Sequence, residues 1–159
     1  MLSKIKVLVT GGAGYIGSCI SNILLDKDFD VTIIDNLSVG KKKLLPKKAK
    51  FYKFNIQDKK KLSNLLSKNN FDIIFHFAGF ISVEESVNYP KKYLKNNFNN
   101  TKIFLEICKK YNLKNIIFSS TAAVYGDVKR RNANENFKRK PANPYAVSKL
   151  RVEDYLIKS

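Results

Sequence analysis

The 159-residue chain has no tryptophan, one methionine, one histidine, two cysteines and four prolines. His76 stands alone, and Cys19 and Cys108 are far apart, so the spacing of zinc ligands is missing and no metal is expected. No apolar run approaches the length of a membrane span. The opening "MLSKIKVLVTGG" leads straight into a strand pattern without a secretory apolar core. The cysteine pattern gives no sign of an oxidising compartment, so a cytoplasmic location is expected. Repeats and low-complexity linkers are also missing, and 44% hydrophobic residues over this length fit one soluble domain with a real core.

Acidic residues are scarce as well. Thirteen Asp and Glu face 30 Lys and Arg, for a formal charge of +17. Such a balance can mark a nucleic-acid or anionic-membrane partner. Here the basic runs are scattered, at 41–43, 59–61, 91–92, 109–110, 129–131 and 138–140. Only four of the basic residues are Arg, and no aromatic–basic stripe or nucleic-acid motif accompanies them. A solvated surface is the expectation, with neither nucleic acid nor membrane as partner.

Apolar runs rich in Val, Ile and Phe occur at 5–10, 31–35, 51–55, 72–77 and 115–119. They are continuous rather than alternating, which predicts short strands buried on both faces. Helical patterns fill 15–27, 59–68 and 90–111, and a last helix opens near Pro144. Strands alternating with helices predict an α/β fold with a doubly wound parallel sheet.

After the first strand comes "TGGAGYIGS", 10–18. Gly12, Gly14 and Gly17 fit a dinucleotide fingerprint, and so do Gly11, Gly14 and Gly17. The early glycines allow a tight turn and close approach of a pyrophosphate, and Gly17 lets the helix pack on the strand. A glycine pattern alone is weak, because any strand-to-helix turn can need glycine. Its setting strengthens it, since Asp35 closes the second strand, where a carboxylate accepts hydrogen bonds from ribose hydroxyls and repels a 2′-phosphate. The expected cofactor is therefore NAD rather than NADP.

Two Tyr-x-x-x-Lys pairs occur, Tyr125/Lys129 and Tyr145/Lys149. Eight Tyr and 26 Lys make about one such match expected by chance, as for any short motif. Tyr125 precedes Gly126 and a charged run, which predicts a loop. Tyr145 follows Asn143-Pro144, a helix start with Asn as cap and Pro in the first position. Lys149 then lies one turn further on the same face. A free tyrosine is a poor base at neutral pH, but an adjacent ammonium and a helix start both favour phenolate. Such a tyrosine can take a proton from a sugar hydroxyl while hydride leaves the same carbon. An ordinary surface helix would show the same spacing.

The glycine turn, Asp35, "SSTAAVYG" and "NPYAVSK" together resemble the extended short-chain dehydrogenase/reductase family, whose domains are of Rossmann type. Within it, "VTGGAGYIGS", "DNLSVG", "FDIIFHFAG", "ESVNYPKKYLKNN", "IIFSSTAAVYG" and "NPYAVSKLRVE" resemble the UDP-glucose 4-epimerases, across essentially the whole chain. The resemblance implies that Gly11, Gly14, Tyr15, Ile16 and Gly17 hold the pyrophosphate of NAD. It places Asp35 and Asn36 on the adenosine ribose, with Asn55 and Ile56 near adenine. Phe77, Ala78 and Gly79 would line the cofactor channel, and Asn97 would contact it from a helix. Thr121 would hydrogen-bond the sugar hydroxyl, Tyr145 would be the acid/base, and Lys149 would hold the nicotinamide ribose and tune the tyrosine. A UDP-sugar substrate and a homodimer are further implications.

Related 4,6-dehydratases carry Asp-Glu after the catalytic Thr, whereas Ala122-Ala123 follow Thr121 here. That favours epimerisation over loss of water. Asn55, Ile81 and Asn100 depart from common family residues, Asn55 standing where many relatives have an Asp. Family members are about twice as long. The resemblance thus implies that residues 1–159 are one NAD-binding Rossmann domain, incomplete on its C-terminal side, with the substrate domain absent. On that reading the isolated chain would turn over little substrate, and its fifth strand would be an open edge. A module that binds NAD without catalysis is the alternative, with another extended short-chain dehydrogenase acting on a nucleotide sugar as the third possibility.

Overall fold

The structure is a computed structural model that describes residues 4–128 and 133–159. In chain order its strands are β1 (Lys6–Thr10), β2 (Asp30–Asp35), β3 (Lys50–Lys53), β4 (Ile73–His76) and β5 (Ile116–Phe118). The α-helices are α1 (Tyr15–Asp26), α2 (Lys59–Lys68), α3 (Val83–Asn88), α4 (Pro90–Tyr93), α5 (Asn100–Lys110) and α6 (Pro144–Ile157). The chain divides into two compact units, Met1–Ala78 with Ile103–Ser119, and Gly79–Lys102 with Ser120–Ser159.

The first unit is built on a five-stranded sheet in the order β3-β2-β1-β4-β5. Every pairing is parallel, with Thr10 level with Ile34 on one side and His76 on the other. This is the doubly wound arrangement that the alternating pattern predicts. Val7, Val9, Leu24, Val31 and Ile33 form a core cluster between sheet and helix, and Leu8, Ile34 and Ile74 are fully buried. The middles of the central strands are mostly apolar, Thr32 excepted, because side chains on both of their faces are covered.

The outer strands correct the expectation of burial. Lys50, Tyr52 and Lys53 of β3 are exposed, and so is Ile117 of β5. The reason is position, since β3 and β5 are the two edges and each has one neighbouring strand. Lysines along β3 blunt an edge that would otherwise recruit another strand.

In the second unit the expected helix over 90–111 is interrupted. Leu94–Asn99 is π-helical between α4 and α5. Helix α3 was not foreseen, although Ser82-Val83-Glu84-Glu85 is a capping-box pattern. Ser82 Oγ accepts from the Glu85 N–H at 3.1 Å. Helix α6 begins as predicted, with Asn143 Oδ1 accepting from Ala146 N–H at 2.8 Å and Pro144 in the first turn.

The basic runs at 41–43, 59–61, 91–92, 109–110 and 138–140 are exposed, as expected of a solvated surface. The run at 129–131 lies outside the described residues. Among the described residues no helix is long and apolar enough to cross a membrane.

Candidate functional site

The first unit holds the glycine turn at the C-terminal end of β1. Strand order reverses around β1, with β2 and β3 on one side and β4 and β5 on the other. Parallel sheets bind ligands at such a switch point. Gly11 takes φ +72°, and a Cβ there would meet the Ala78 backbone nitrogen at 2.6 Å. Gly17 is tighter still, because a Cβ there would lie 2.3 Å from Gly11 O and 2.8 Å from Gly12 Cα. Side chains at these two positions would fill the turn. Helix α1 starts at Tyr15 with Gly14 as cap, no side-chain cap bond and no acidic residue in its first turn. By contrast Asp58, Ser82 and Asn143 cap α2, α3 and α6 with their side chains. An uncapped helix start beside a side-chain-free turn suits a phosphate group.

Asp35 is buried at the end of β2, where both of its oxygens are used. Oδ2 accepts from the Ala13 N–H at 3.0 Å and Oδ1 from the Leu37 N–H at 2.7 Å. The carboxylate therefore ties the glycine turn to the second strand, a task that sequence reading did not assign it. Lone pairs remain on both oxygens for ribose hydroxyls. Ala13 O in turn accepts from the Lys41 N–H at 2.9 Å, which folds the loop at 36–41 over the turn. Within that loop Leu37 has φ 61°, a conformation uncommon for a residue other than glycine. Asn36 Oδ1 accepts from Ser38 N–H at 2.9 Å, and its Nδ2 donates to Asn55 Oδ1 at 2.6 Å. Asn36 and Asn55 are thus brought together, with Ile56 next in the chain.

Phe77 and Ala78 follow β4. Phe77 N–H donates to Thr10 O at 3.0 Å, and Ala78 N–H donates to Thr10 Oγ1 at 3.4 Å. The same hydroxyl lies 2.7 Å from Nδ1 of His76, which is buried and stacked on Phe104 and Phe118. The lone histidine is a core residue that fixes this wall of the turn.

The second unit holds Gly79, Asn97, Thr121, Tyr145 and Lys149. Tyr145 is the second residue of α6 and is half-buried, while Lys149 is 4% exposed. A Cβ on Gly79 would come within 3.9 Å of Lys149 Nζ, which places the amine beside that loop. Burial pulls the Lys149 pKa down to about 8, so the ammonium form still prevails at neutral pH. Ser148 Oγ donates to Tyr145 O at 2.6 Å and accepts from Asn97 Nδ2 at 3.1 Å.

Asn97 is buried within the π-helical turn. Its Nδ2 also donates to Phe80 O at 2.9 Å, and its Oδ1 accepts from Phe80 N–H at 2.8 Å and Asn96 Nδ2 at 3.0 Å. Two donors and two acceptor sites are all that an amide offers, and all four are in use. Sequence reading missed Ser148 and Phe80 as its partners. The Ser between Tyr145 and Lys149 in "YAVSK" was the available signal.

Tyr93 packs edge-on to Tyr145, with ring centroids 6.5 Å apart. Its hydroxyl donates to Glu85 Oε2 at 2.7 Å and accepts from Ser82 N–H at 3.1 Å. Burial, reinforced by the Glu85 carboxylate, pushes its pKa up to about 12. Tyr93 is therefore no acid/base at neutral pH. Thr121 Oγ1 accepts from Ala123 N–H at 3.2 Å and so caps the 3₁₀ turn Ala122–Tyr125. This leaves its hydroxyl proton free to point elsewhere. Tyr125 closes that turn just before Gly126 at φ +70°. Its sequence partner Lys129 lies outside the described residues.

A model of the NAD dependent epimerase/dehydratase family matches residues 7–159. The chain belongs to that family. It is 40% identical to a UDP-glucose 4-epimerase of Schizosaccharomyces pombe, over 94% of this chain and 45% of that protein. A UDP-glucose 4-epimerase of Lacticaseibacillus casei is 42% identical over 92% of this chain and 44% of that protein. Among solved structures, the Thermotoga maritima UDP-glucose 4-epimerase with UDP-glucose superposes with TM-score 0.92 at 36% identity, covering 97% of this chain and 50% of that one. The Bifidobacterium longum UDP-glucose 4-epimerase in complex with NAD⁺ and UDP gives TM-score 0.91 at 37% identity, over 96% of this chain and 48% of that one. The chain of this family member thus spans about half the length of the relatives it matches.

Proposed function

We propose that this chain supplies the NAD site and the proton-transfer groups of a UDP-glucose/UDP-galactose 4-epimerase. The observation that carries the reading is Lys149, buried with its amine intact one turn beyond Tyr145 on a helix start capped by Asn143. Burying an amine is costly, and a surface helix would have no reason to do it. The named activity of the relatives supports the same choice.

The residues fit NAD. Gly11, Gly14 and Gly17, with the backbone of Tyr15 and Ile16, form the place for the pyrophosphate. Asp35 and Asn36 would hold the adenosine ribose, and Asn55 and Ile56 would take adenine. Phe77 and Ala78 would line the next part of the channel, with Gly79 after them in the chain. When bound, NAD supplies a hydride acceptor that returns the hydride to the sugar. Tyr145 accepts the proton of the sugar 4-hydroxyl and gives it back after the 4-keto sugar has turned its other face. Thr121 donates a hydrogen bond that orients that oxygen. Lys149, buried one turn beyond Tyr145, would hold the nicotinamide ribose. Asn97, expected to touch the cofactor, is assigned instead to holding Phe80 and Ser148, since its side chain has no bond to spare. The same reading takes the enzyme as a cytoplasmic homodimer, and the free thiols of Cys19 and Cys108 suit a reducing compartment.

UDP-galactose incubated with NAD and the protein that carries this chain should equilibrate with UDP-glucose, followed by NMR. A 4-keto-6-deoxy sugar would reveal a dehydratase, which Ala122-Ala123 argue against because neither can move a proton. Unchanged UDP-galactose alongside NAD binding would leave a binding module.

Asp35→Ala should weaken NAD by about tenfold to a hundredfold, because charge-assisted hydrogen bonds to ribose and to the turn are lost together. The preference for NAD over NADP should narrow in the same variant. Fluorescence titration with both cofactors checks this, and unchanged affinity for both would remove Asp35 from the site.

Lys149→Met should stabilise the cofactor-free chain. A pKa brought from 10.5 to about 8 means that the folded state disfavours the ammonium. Between those values the unfolded chain holds a proton that the folded one has released, so wild-type stability rises with pH across that window. Below about 8 the full cost is present. The Met variant should therefore gain about 1–3 kcal/mol at pH 7 and lose that advantage by about pH 10.5. Urea melts at both pH values measure it, and a variant less stable than wild type at pH 7 contradicts it.

A further inference from the structure

Ser120 precedes Thr121 in the loop that leaves β5. Its hydroxyl donates to Glu153 Oε1 on α6. The other carboxylate oxygen, Oε2, accepts from Arg139 at 3.1 Å. The second guanidinium arm reaches Asp154 Oδ1 at 2.9 Å. Three separate segments are thus joined at one carboxylate, namely the loop with Thr121, the stretch that leads into α6, and α6 itself. Glu153 stands one turn beyond Lys149 and two turns beyond Tyr145. Its side chain is 22% exposed, so the Ser120 bond is partly buried while the Arg139 side of the linkage faces solvent. The Glu153 and Asp154 carboxylates hold the Arg139 guanidinium firmly charged, with the hydrogen bond to Glu153 the leading cause.

We propose that Glu153 is a positioning residue for the reaction, which through Ser120 sets where the Thr121 loop stands relative to the helix that carries Tyr145 and Lys149. The proposal rests on the epimerase reading above, because it gives Thr121 a sugar hydroxyl to hold. Thr121 is fixed on its downstream side by capping the turn Ala122–Tyr125. Lys140 N–H donates to Val124 O at 2.8 Å, which ties that turn to the segment of Arg139. Upstream, the side-chain bond at Ser120 supplies the tie to α6. With the Glu153 oxygens removed, the loop keeps its 3₁₀ turn but loses its reference to α6. A misplacement of about 1 Å at a substrate-orienting group is enough to lower a rate by about a hundredfold.

The test is a double-mutant cycle in the protein that carries this chain, with UDP-galactose as substrate. Glu153→Ala should lower kcat about tenfold to a hundredfold with KM changed less than about threefold. Ser120→Ala, a smaller change that leaves the Arg139 pair in place, should give a loss in the same direction. Glu153→Gln keeps an acceptor for Ser120 and should recover most of the rate. The decisive arm is Thr121→Ala, in whose background either substitution should cost less than about twofold, because residues that act through one another are not additive. The same penalty with and without Thr121, or no rescue by Gln, would show a purely structural role and overturn the proposal alone. A Thr121→Ala enzyme at full rate would overturn the reading of Thr121 and this proposal with it. If Glu153→Ala does not fold, Ser120→Ala carries the cycle.

Discussion

Tyr145→Phe should lower turnover by about a thousandfold or more while leaving NAD affinity within about twofold. The substitution removes one hydroxyl from a half-buried ring and nothing else. The edge-on packing against Tyr93 survives, because it depends on the rings. Ser148 still donates to the backbone carbonyl at position 145, so the helix start is undisturbed. What is lost is the group that moves the proton, and general acid–base catalysis alone contributes about a hundredfold to ten-thousandfold. Tyr125→Phe is the matched control and should run at near the wild-type rate. Tyr93→Phe is a second control, since its hydroxyl is committed to Glu85 and Ser82. Full activity in Tyr145→Phe with Tyr125→Phe inactive would move the acid/base to the other pair.

Gly17→Ala should abolish measurable NAD binding and destabilise the first unit by about 2–4 kcal/mol. The new methyl would lie 2.3 Å from Gly11 O, and both groups belong to backbone that cannot rotate away. To make room, α1 must lift off the turn, which moves the helix start away from the phosphate position and strains the bond from Ala13 to Asp35. Gly14→Ala is the contrast, because its Cβ meets only Gly11 O, at 3.3 Å. Its fold should survive with a loss of about 1 kcal/mol or less. Thermal melts of the two variants should therefore separate clearly. Equal stability of Gly17→Ala and Gly14→Ala would mean that the close approach at Gly17 is not a constraint.

The sheet was legible because its central strands are mostly apolar runs set apart by the long crossovers, usually helical, that a parallel arrangement needs. Edge positions were not, since nothing local in "KFYK" or "IIF" says how many neighbours a strand will have. Asn143-Pro144 announced α6 because a cap is a local hydrogen bond between residues three apart. The π-helical turn had no such announcement. It arises where Asn97 turns inward to saturate its amide on Phe80 and Ser148, partners 17 and 51 residues away. The same holds for Asp35, whose place after the second strand could be read but whose grip on Ala13 could not. Glu153 and Ser120, 33 positions apart, lie beyond any spacing rule. Local chemistry was visible in the sequence, and the bonds that orient it across the unit were not.

Every role given to Tyr145, Lys149 and Thr121 depends on NAD occupying the glycine turn, so titration of the purified chain with NAD and NADP is the most direct measurement. Saturable one-to-one binding of NAD is expected, with NADP at least about tenfold weaker and Gly17→Ala silent toward both. No binding of NAD, or equal binding of the two cofactors that survives Gly17→Ala, would contradict the assignment of this turn.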